Sequence, residues 1–361
     1  MANSFKTFLP EDIANTRTLL HEAIPITGTI VSGTYTDNNI KEYAHGMFQS
    51  VYDYPYLSSS ANHIFDITWG YATGSGLNDP AYTQNTKKIN IYQQMCLVLN
   101  NTDISGNIKD FDKNGAEDTD TSDDMREVVF VSFARLLNKD EVKKESFTIK
   151  LYSTSSDAGT SRLAMKTISD YNAATNYKTN SPAGEYGLLY TSSADITDNS
   201  PVGHIYYQAG IMVLTASFFT GEFGAGDNTG TGTDTPGPGS DAGWMTSSMN
   251  QMLKSGTINQ LSDGLRCVFD NVSFNNTTEL NSTIYFARAH NTEFNYSANT
   301  TYLSASEIVV KGNNPAADPV AYITSVGLYS PDNELLAVAK LSEPLKKTPS
   351  NEITLRVRLD Y

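Results

Sequence analysis

A short acidic run contains the residues best suited, in type and spacing, to bind a metal ion. The first, third, fifth, sixth and ninth positions of a calcium-binding loop are matched by Asp110, Asp112, Asn114, Gly115 and Asp118. Such loops bring carboxylate and carbonyl oxygens together and use a glycine for the sharp turn. The twelfth position should be a bidentate glutamate, but it is Thr121. We therefore predict a solvated acidic loop and no metal site, and keep the run as a weak calcium candidate.

The remaining polar residues show none of the spacings typical of common enzyme sites. No HExxH or other metal-ligand spacing links His21, His45, His63, His204 and His290. Gly-x-Ser-x-Gly does not occur, and Gly230-Thr-Gly232-Thr lacks the Lys-Ser/Thr of a phosphate-binding loop. Two carboxylates placed for glycoside cleavage leave no sequence signature, so a polysaccharide depolymerase stays an alternative, weakened by the absence of internal repeats. We expect no catalytic residue, no cofactor and no enzyme activity.

Composition and charge exclude several classes of protein. The chain of 361 residues is 39% apolar and 18% charged, which is typical of a folded protein with real cores. Its net charge is -15 and its 25 Lys and Arg are scattered, so a direct nucleic-acid partner is not expected. No run approaches the ~20 apolar residues of a membrane helix, and the first residues do not read as a secretory signal. Synthesis in the cytoplasm and no membrane partner are expected.

Periodicity in the first two thirds of the chain predicts two helices and several strands. Helices are expected near 10–24, after Pro10, and near 86–99, where apolar residues follow helical spacing. Strands are expected at Thr27–Tyr35, and at Val128–Arg135 and Ser146–Tyr152, the latter two pairing around a polar turn. The almost continuously apolar segment His204–Phe219 indicates one strand buried on both faces, with its aromatic side chains covered partly by a partner.

The C-terminal third predicts a hairpin and a further strand. Ala321–Tyr329 and Glu334–Leu341 flank the turn Ser330-Pro-Asp-Asn333, in which proline and asparagine suit the turn dihedrals. Residues Glu352–Tyr361 alternate apolar and polar throughout, which is typical of a half-buried strand. We expect residues 322–361 to form a three-stranded antiparallel meander.

Residues 221–243 divide the chain by composition. This Gly/Thr/Asp/Pro stretch has hardly any apolar residue and should be a flexible loop or linker. The predicted organisation is a β-rich domain at 1–220, the linker, a short helix at Met245–Leu253 and a C-terminal β domain at 244–361; one continuous domain is the alternative. The fold class is mainly β with a few short helices (α+β), as antiparallel sheets or a sandwich.

Several segments resemble structural proteins of tailed bacteriophages. Tyr322–Tyr329 with Glu334–Leu341 is similar to a hairpin of tail-fibre-attachment and baseplate-associated proteins. Pro201–Leu214 resembles a strand of structural proteins of marine contractile-tailed phages, and His63–Thr68 and Val128–Lys144 resemble the same group. Together these segments cover under half of the chain, and each is a packing motif.

The resemblance implies a component of the virion, made in the host cytoplasm and built into the tail, baseplate or fibre attachment. Expected partners are further copies of the chain and other virion tail or baseplate proteins. A rigid sheet core would set the geometry while loops and termini contact neighbouring subunits. Two alternatives stay open: a glycan-binding module of a receptor-recognising fibre, in which tyrosines stack on sugars, and a capsid or neck accessory protein.

Overall fold

The computed structural model describes residues 5–26, 39–100, 102, 105–116, 121–153, 164–197, 200–219, 249–295, 303–304, 307–308 and 318–361. Over these ranges the chain is mainly β with antiparallel sheets and four helices, which confirms the predicted fold class. Two compact units are present: Leu20–Thr278, called the larger unit, and Met1–Leu19 with Glu279–Tyr361, called the smaller unit. No helix in the described ranges is long and apolar enough to cross a membrane.

The strands in chain order are β1 Ile13–Ile26, β2 Ile40–Glu42, β3 Gln49–Tyr52, β4 His63–Tyr71, β5 Phe111–Asp112, β6 Asp124–Met125, β7 Glu127–Phe133, β8 Glu141–Val142, β9 Thr148–Ser153, β10 Ala164–Ser169, β11 Lys178–Ser181, β12 Gly184–Leu189, β13 Gly203–Tyr206, β14 Ile211–Thr215, β15 Phe269–Ala289, β16 Leu303–Ser304, β17 Glu307–Ile308, β18 Ala321–Tyr329, β19 Leu335–Lys347 and β20 Ile353–Asp360. The helices are α1 Asn85–Leu99, α2 Arg135–Asn138, α3 Met249–Ser255 and α4 Ile258–Val268.

The larger unit is built on an eight-stranded sheet in the order β11-β12-β13-β14-β7-β4-β3-β2. Its central strand β7 is buried on both faces because each face has its own apolar layer. Val128 and Phe130 pack in a cluster with α1, whereas Val129 and Val131 pack in a second cluster. That second cluster includes residues of β9, the start of β15, α3 and α4. The eight-stranded sheet is therefore the middle layer of this unit.

Helix α1 confirms the helix predicted near 86–99. Its buried side includes Tyr92 and Cys96, and it packs closely on β4. The close approach depends on Gly70, where a Cβ would lie 2.9 Å from the Lys88 carbonyl oxygen and the Tyr92 nitrogen. The helical spacing in the sequence therefore predicted this helix correctly. The absence of a side chain at Gly70 gives the helix the space it needs on the sheet.

The helix predicted near 10–24 is wrong. Pro10–Asp12 form a single 3-10 turn, and β1 follows directly as a strand that pairs with β15. In the smaller unit, Arg17 forms an ion pair with Glu279 and Asn15 accepts a hydrogen bond from Thr283 at 2.8 Å. Pairing with β15 satisfies the backbone groups along one side of β1, and this long-range gain outweighs a weak local helical pattern.

Two other predictions identified strands but paired them wrongly. β7 and β9 exist near the predicted positions, but β7 pairs with β4 and β14 while β9 pairs with β10 and β15. The segment His204–Phe219 is a hairpin of β13 and β14 rather than one strand, and turns at Gly210 with φ +65°. The prediction that this segment is buried on both faces is confirmed. Tyr206, Tyr207, Phe218 and Phe219 are buried by the chain itself.

In the smaller unit the predicted hairpin is confirmed as β18 and β19, but the three-stranded meander is wrong. β20 pairs with the second half of β15, from Ser282↔Asp360 to Ala289↔Ile353. The predicted alternation of β20 is confirmed, since Ile353, Leu355, Val357 and Leu359 are half-buried and the residues between them are exposed. Alternation fixes which face of a strand is covered, and it leaves the neighbouring strand undetermined.

The compact units also differ from the predicted domains. The segment 221–243 and the strand predicted at Thr27–Tyr35 lie outside the described residues. Within the described part, the helix predicted at Met245–Leu253 is α3, whose Met249, Met252 and Leu253 belong to the core of the larger unit. Residues 249–278 thus pack with the preceding chain, and the N-terminal residues group with 279–361. The division of the described residues therefore falls near 278, after the predicted linker.

Candidate functional site

The predicted calcium-loop residues form a hairpin of β5 and β6 in which their side chains serve the turn. Asp112 lies opposite Asp124, and its Oδ1 accepts a hydrogen bond from the Asn114 backbone nitrogen at 3.0 Å. The Asn114 Oδ1 in turn accepts from the Ala116 nitrogen at 2.6 Å. Gly115 has φ +66°, a conformation that favours glycine. These are local turn-forming bonds that aspartate and asparagine make without any ion.

An arginine pairs with two carboxylates at this hairpin. Arg126 contacts Asp124 Oδ2 at 3.1 Å and Asp110 Oδ2 at 3.5 Å. Burial raises the pKa of Asp110 and of Asp124, and the guanidinium of Arg126 acts in the opposite direction. Asp118 lies outside the described residues. Within the described ranges, no group of three or more His, Cys, Asp or Glu side chains is placed to hold a metal ion.

A buried histidine connects the β5–β6 hairpin to the eight-stranded sheet. His204 of β13 is 1% exposed, and its Nε2 lies 3.2 Å from the carbonyl oxygen of Lys113. Burial lowers the pKa of His204 to about 4, so the ring is neutral at pH 7 and Nε2 can donate to that carbonyl. This bond holds the β5–β6 hairpin on the sheet. We assign it a structural role.

Lys88 and Asp170 have comparable structural roles. The Lys88 ammonium donates to the carbonyl oxygens of Leu253 and Gly256, both at 2.6 Å, and so satisfies the C-terminal end of α3. Burial lowers the pKa of Lys88 to about 8. The Asp170 carboxylate accepts bonds from the Tyr207 hydroxyl at 2.9 Å and from two backbone nitrogens of the β8–β9 connection. Both side chains are fully buried, so neither is accessible to a ligand.

A partly exposed polar and aromatic surface, in which Ser50 itself is buried, lies at the β2 side of the eight-stranded sheet. Cross-strand register places Lys41 opposite Ser50 and Ser50 opposite Asp66. We call the surface around this row, on β2, β3 and β4, the edge face; its members are Lys41, Tyr43, Ser50, Tyr52, His63 and Asp66. Alternate residues of the same strands, including Val51 and Ile67, point to the opposite side and pack in the core. The edge face is thus the outward side of strands whose inward side is apolar.

Hydrogen bonds link the polar groups of the edge face into one network. Ser50 Oγ donates to Asp66 Oδ1 at 2.5 Å and lies 3.3 Å from the Tyr43 hydroxyl. His63 Nε2 lies 2.9 Å from the same Asp66 oxygen. In a hydrolytic triad the histidine stands between the serine and the carboxylate. Here the carboxylate stands between the other two, so the arrangement does not activate Ser50 as a nucleophile.

Aromatic rings surround this network. Tyr43 stacks on His45, with ring centroids 5.1 Å apart and planes inclined by 7°, and the Lys41 ammonium lies 4.9 Å from the Tyr43 centroid. The centroid of the Tyr52 ring lies 5.4 Å from that of His63 and 6.4 Å from that of Tyr56. Burial raises the pKa of Tyr52, and Tyr43 acts in the same direction, so the two phenols share one electrostatic environment. The sequence reading did not identify this site, because its residues come from three strands.

The smaller unit has a second exposed surface of different character. On the ribbon of β18 and β19, exposed apolar side chains include Leu336, at 62%, and Val338, at 53%. Val326, Leu328, Ala337 and Ala339 line the other face and are half-buried. The base of the ribbon is fixed by Lys347, whose ammonium donates to Asn295 Oδ1 at 2.7 Å. Both faces of this ribbon are therefore rich in apolar side chains.

Comparison with protein-family models, with curated proteins and with solved structures finds no match for this chain.

Proposed function

We propose that the chain is a structural component of a tailed-bacteriophage virion, placed in the tail baseplate or at a fibre attachment, and that it acts by protein–protein assembly without catalysis. The resemblance of its C-terminal hairpin to baseplate and fibre-attachment proteins motivates the proposal. Its partners are further copies of the chain and neighbouring virion proteins.

The observation that carries the proposal is the exposed apolar ribbon of β18 and β19. Tyr322, Leu335, Leu336 and Val338 are each at least half exposed. A two-stranded hairpin is only marginally stable in water by itself, and contiguous exposed apolar surface commonly marks a protein interface. A neighbouring subunit seated on the ribbon would remove these side chains from water and would stiffen the hairpin. The ribbon then supplies the contact, and the sheet core of the larger unit supplies a rigid body.

Two measurements test this proposal. Density for the chain in an intact particle would establish its location, and light scattering of the purified chain would give its mass in solution. We expect the double variant Leu336→Lys with Val338→Lys to lose self-association and incorporation into particles. The matched control is Thr324→Lys with Ser342→Lys, which adds the same charge at exposed polar positions of the ribbon.

The outcomes separate assembly from other roles. If the control variant assembles and the apolar-to-lysine variant does not, while both keep the unfolding midpoint of the wild type, assembly through the ribbon is supported. A wild-type chain that is monomeric, and that is missing from purified particles, would refute the proposal. Turnover of host polysaccharide by the purified chain would refute its non-catalytic part.

A further inference from the structure

The edge face of the larger unit combines two features that sugars require. A pyranose ring presents apolar C–H patches and hydroxyl groups that both donate and accept hydrogen bonds. Tyr52 is half-buried, so part of its ring faces solvent. Near it, Asp66 supplies a carboxylate that is 33% exposed and that accepts a hydrogen bond from the buried Ser50 hydroxyl. An aromatic ring close to a fixed polar group is typical of small-molecule recognition surfaces.

We propose that the edge face is a binding site for neutral carbohydrate, with Tyr52 stacking on a sugar ring and Asp66 accepting hydrogen bonds from sugar hydroxyls.

The network orders the acceptor in advance. Ser50 and His63 both bond to Oδ1 of Asp66, so the carboxylate is held in one orientation while Oδ2 takes part in neither bond. Carboxylate oxygens are strong acceptors of hydroxyl hydrogen bonds. A side chain that is already fixed loses less conformational entropy on binding than a free one. Asp66 is therefore fixed in an orientation suited to accept a hydrogen bond from a ligand. Pairing of the strands does not require these side-chain hydrogen bonds.

Charge restricts the ligand to neutral sugars. The chain carries a net charge of -15, and the edge face itself contains the carboxylate of Asp66. Its nearest cation, Lys41, lies over the ring of Tyr43. An anionic polysaccharide would meet repulsion from this potential, whereas a neutral one would not. Charge thus favours hexose or pentose polymers without carboxylate or sulfate groups.

Core packing does not require the polar row. The inward-facing residues of the same strands, Val51, Phe65 and Ile67, are fully or almost fully buried and supply the apolar contacts. On a half-exposed strand face, β-branched residues would pair at least as well as serine and aspartate. Helix α1 covers the same side of β4 only further along, at Gly70. Ser50 is itself buried, whereas His63 and Asp66 are each 33% exposed and are therefore not explained by packing of the larger unit.

The test is affinity electrophoresis of the purified full chain in gels containing dextran, mannan or xylan, with alginate as the anionic comparison. We expect at least one neutral polymer to retard the wild type and alginate to leave its mobility unchanged. Tyr52→Ala and Asp66→Asn should each weaken that retardation at least about tenfold, the equivalent of one lost hydrogen bond or stacking contact. Tyr54→Ala is the matched control, since Tyr54 is 50% exposed and is not part of the network.

Each result decides the proposal. Loss of binding in Tyr52→Ala, with retention in Tyr54→Ala and unchanged thermal unfolding in both, supports it. Wild-type binding to none of the neutral polymers, or to alginate alone, overturns it. A drop in the mass of the assembled chain caused by Tyr52→Ala would also overturn it, because the edge face would then be a protein contact. The Leu336→Lys and Val338→Lys variant should still bind the polymer, so the failure of one proposal is distinguishable from failure of the other.

Discussion

Replacing Asp170 by asparagine tests whether burial or hydrogen bonding controls a carboxylate in the core. Asp170 is fully buried and accepts hydrogen bonds from the Tyr207 hydroxyl at 2.9 Å, from the Glu145 nitrogen at 2.8 Å and from the Phe147 nitrogen at 3.0 Å. These bonds favour the charged form, whereas burial disfavours it. Burial dominates and raises the pKa of Asp170 from 3.8 to about 7. Burial and hydrogen bonding therefore act on the pKa of Asp170 in opposite directions, and the pH dependence of stability shows which effect is larger.

The sign of the stability change follows from the direction of the pKa shift. A carboxyl with a raised pKa contributes stability that is fully present below pH 3.8 and is lost as the pH rises through about 7. The full shift in the pKa of Asp170 corresponds to about 4 kcal/mol in the free energy of unfolding. Between pH 5.5 and 8.5, a range above the isoelectric point of 4.7, about 2 kcal/mol of it should be lost. The Asp170→Asn variant cannot lose it, because asparagine does not titrate.

The assay is urea unfolding of wild type and Asp170→Asn at several pH values. Asparagine directs an NH2 group at one of the backbone nitrogens, which costs the variant a constant ~1–3 kcal/mol. The readout is therefore the change with pH: the variant should gain about 2 kcal/mol relative to wild type from pH 5.5 to 8.5. His204 titrates in both proteins, so its effect cancels in the difference. Parallel curves would show that the hydrogen bonds offset burial, and a difference that moves against the variant would show that they outweigh it.

The remaining predictions concern the metal, a buried cation and a close contact. Adding EDTA should leave the melting temperature unchanged, because Arg126 already pairs with Asp110 and Asp124 and the other described ligand candidates bond within the turn; a fall of several degrees would reveal a bound ion. Lys88→Met should destabilise the fold by about 2 kcal/mol in urea unfolding, since two buried carbonyl oxygens lose their donor, while Lys87→Met should have a much smaller effect. Gly203→Ala should cost at least about 3 kcal/mol because its Cβ would lie 2.1 Å from the Val213 carbonyl oxygen; Gly74→Ala, with open space around it, is the control for thermal unfolding.

Local chemistry in the sequence predicted the elements that depend on neighbouring residues alone. The turn at Ser330–Asn333 formed as expected, and Asn333 adopts φ +65°, the left-handed conformation that asparagine tolerates. Helix α1 and the alternation of β20 were predictable for the same reason. Strand partners were not predictable, because pairing depends on which strand the rest of the fold places next to a given strand. β20 illustrates this: its apolar face suits β19 or β15 equally well in sequence, and it pairs with β15.

The edge face shows why a site of this kind leaves so little trace in a sequence. Lys41, Ser50 and Asp66 lie in three strands and meet only through the registers β2–β3 and β3–β4. A shift of one residue in β4 would turn Asp66 into the core and bring Phe65 or Ile67 to the surface. The apolar inward residues that fix the register therefore also hold the polar network in place. The only signal in the sequence is a polar residue alternating with buried ones, as at Ser50 beside Val51 and Asp66 beside Ile67. Such alternation is common to every half-exposed strand, so the register had to be known before the site could be recognised.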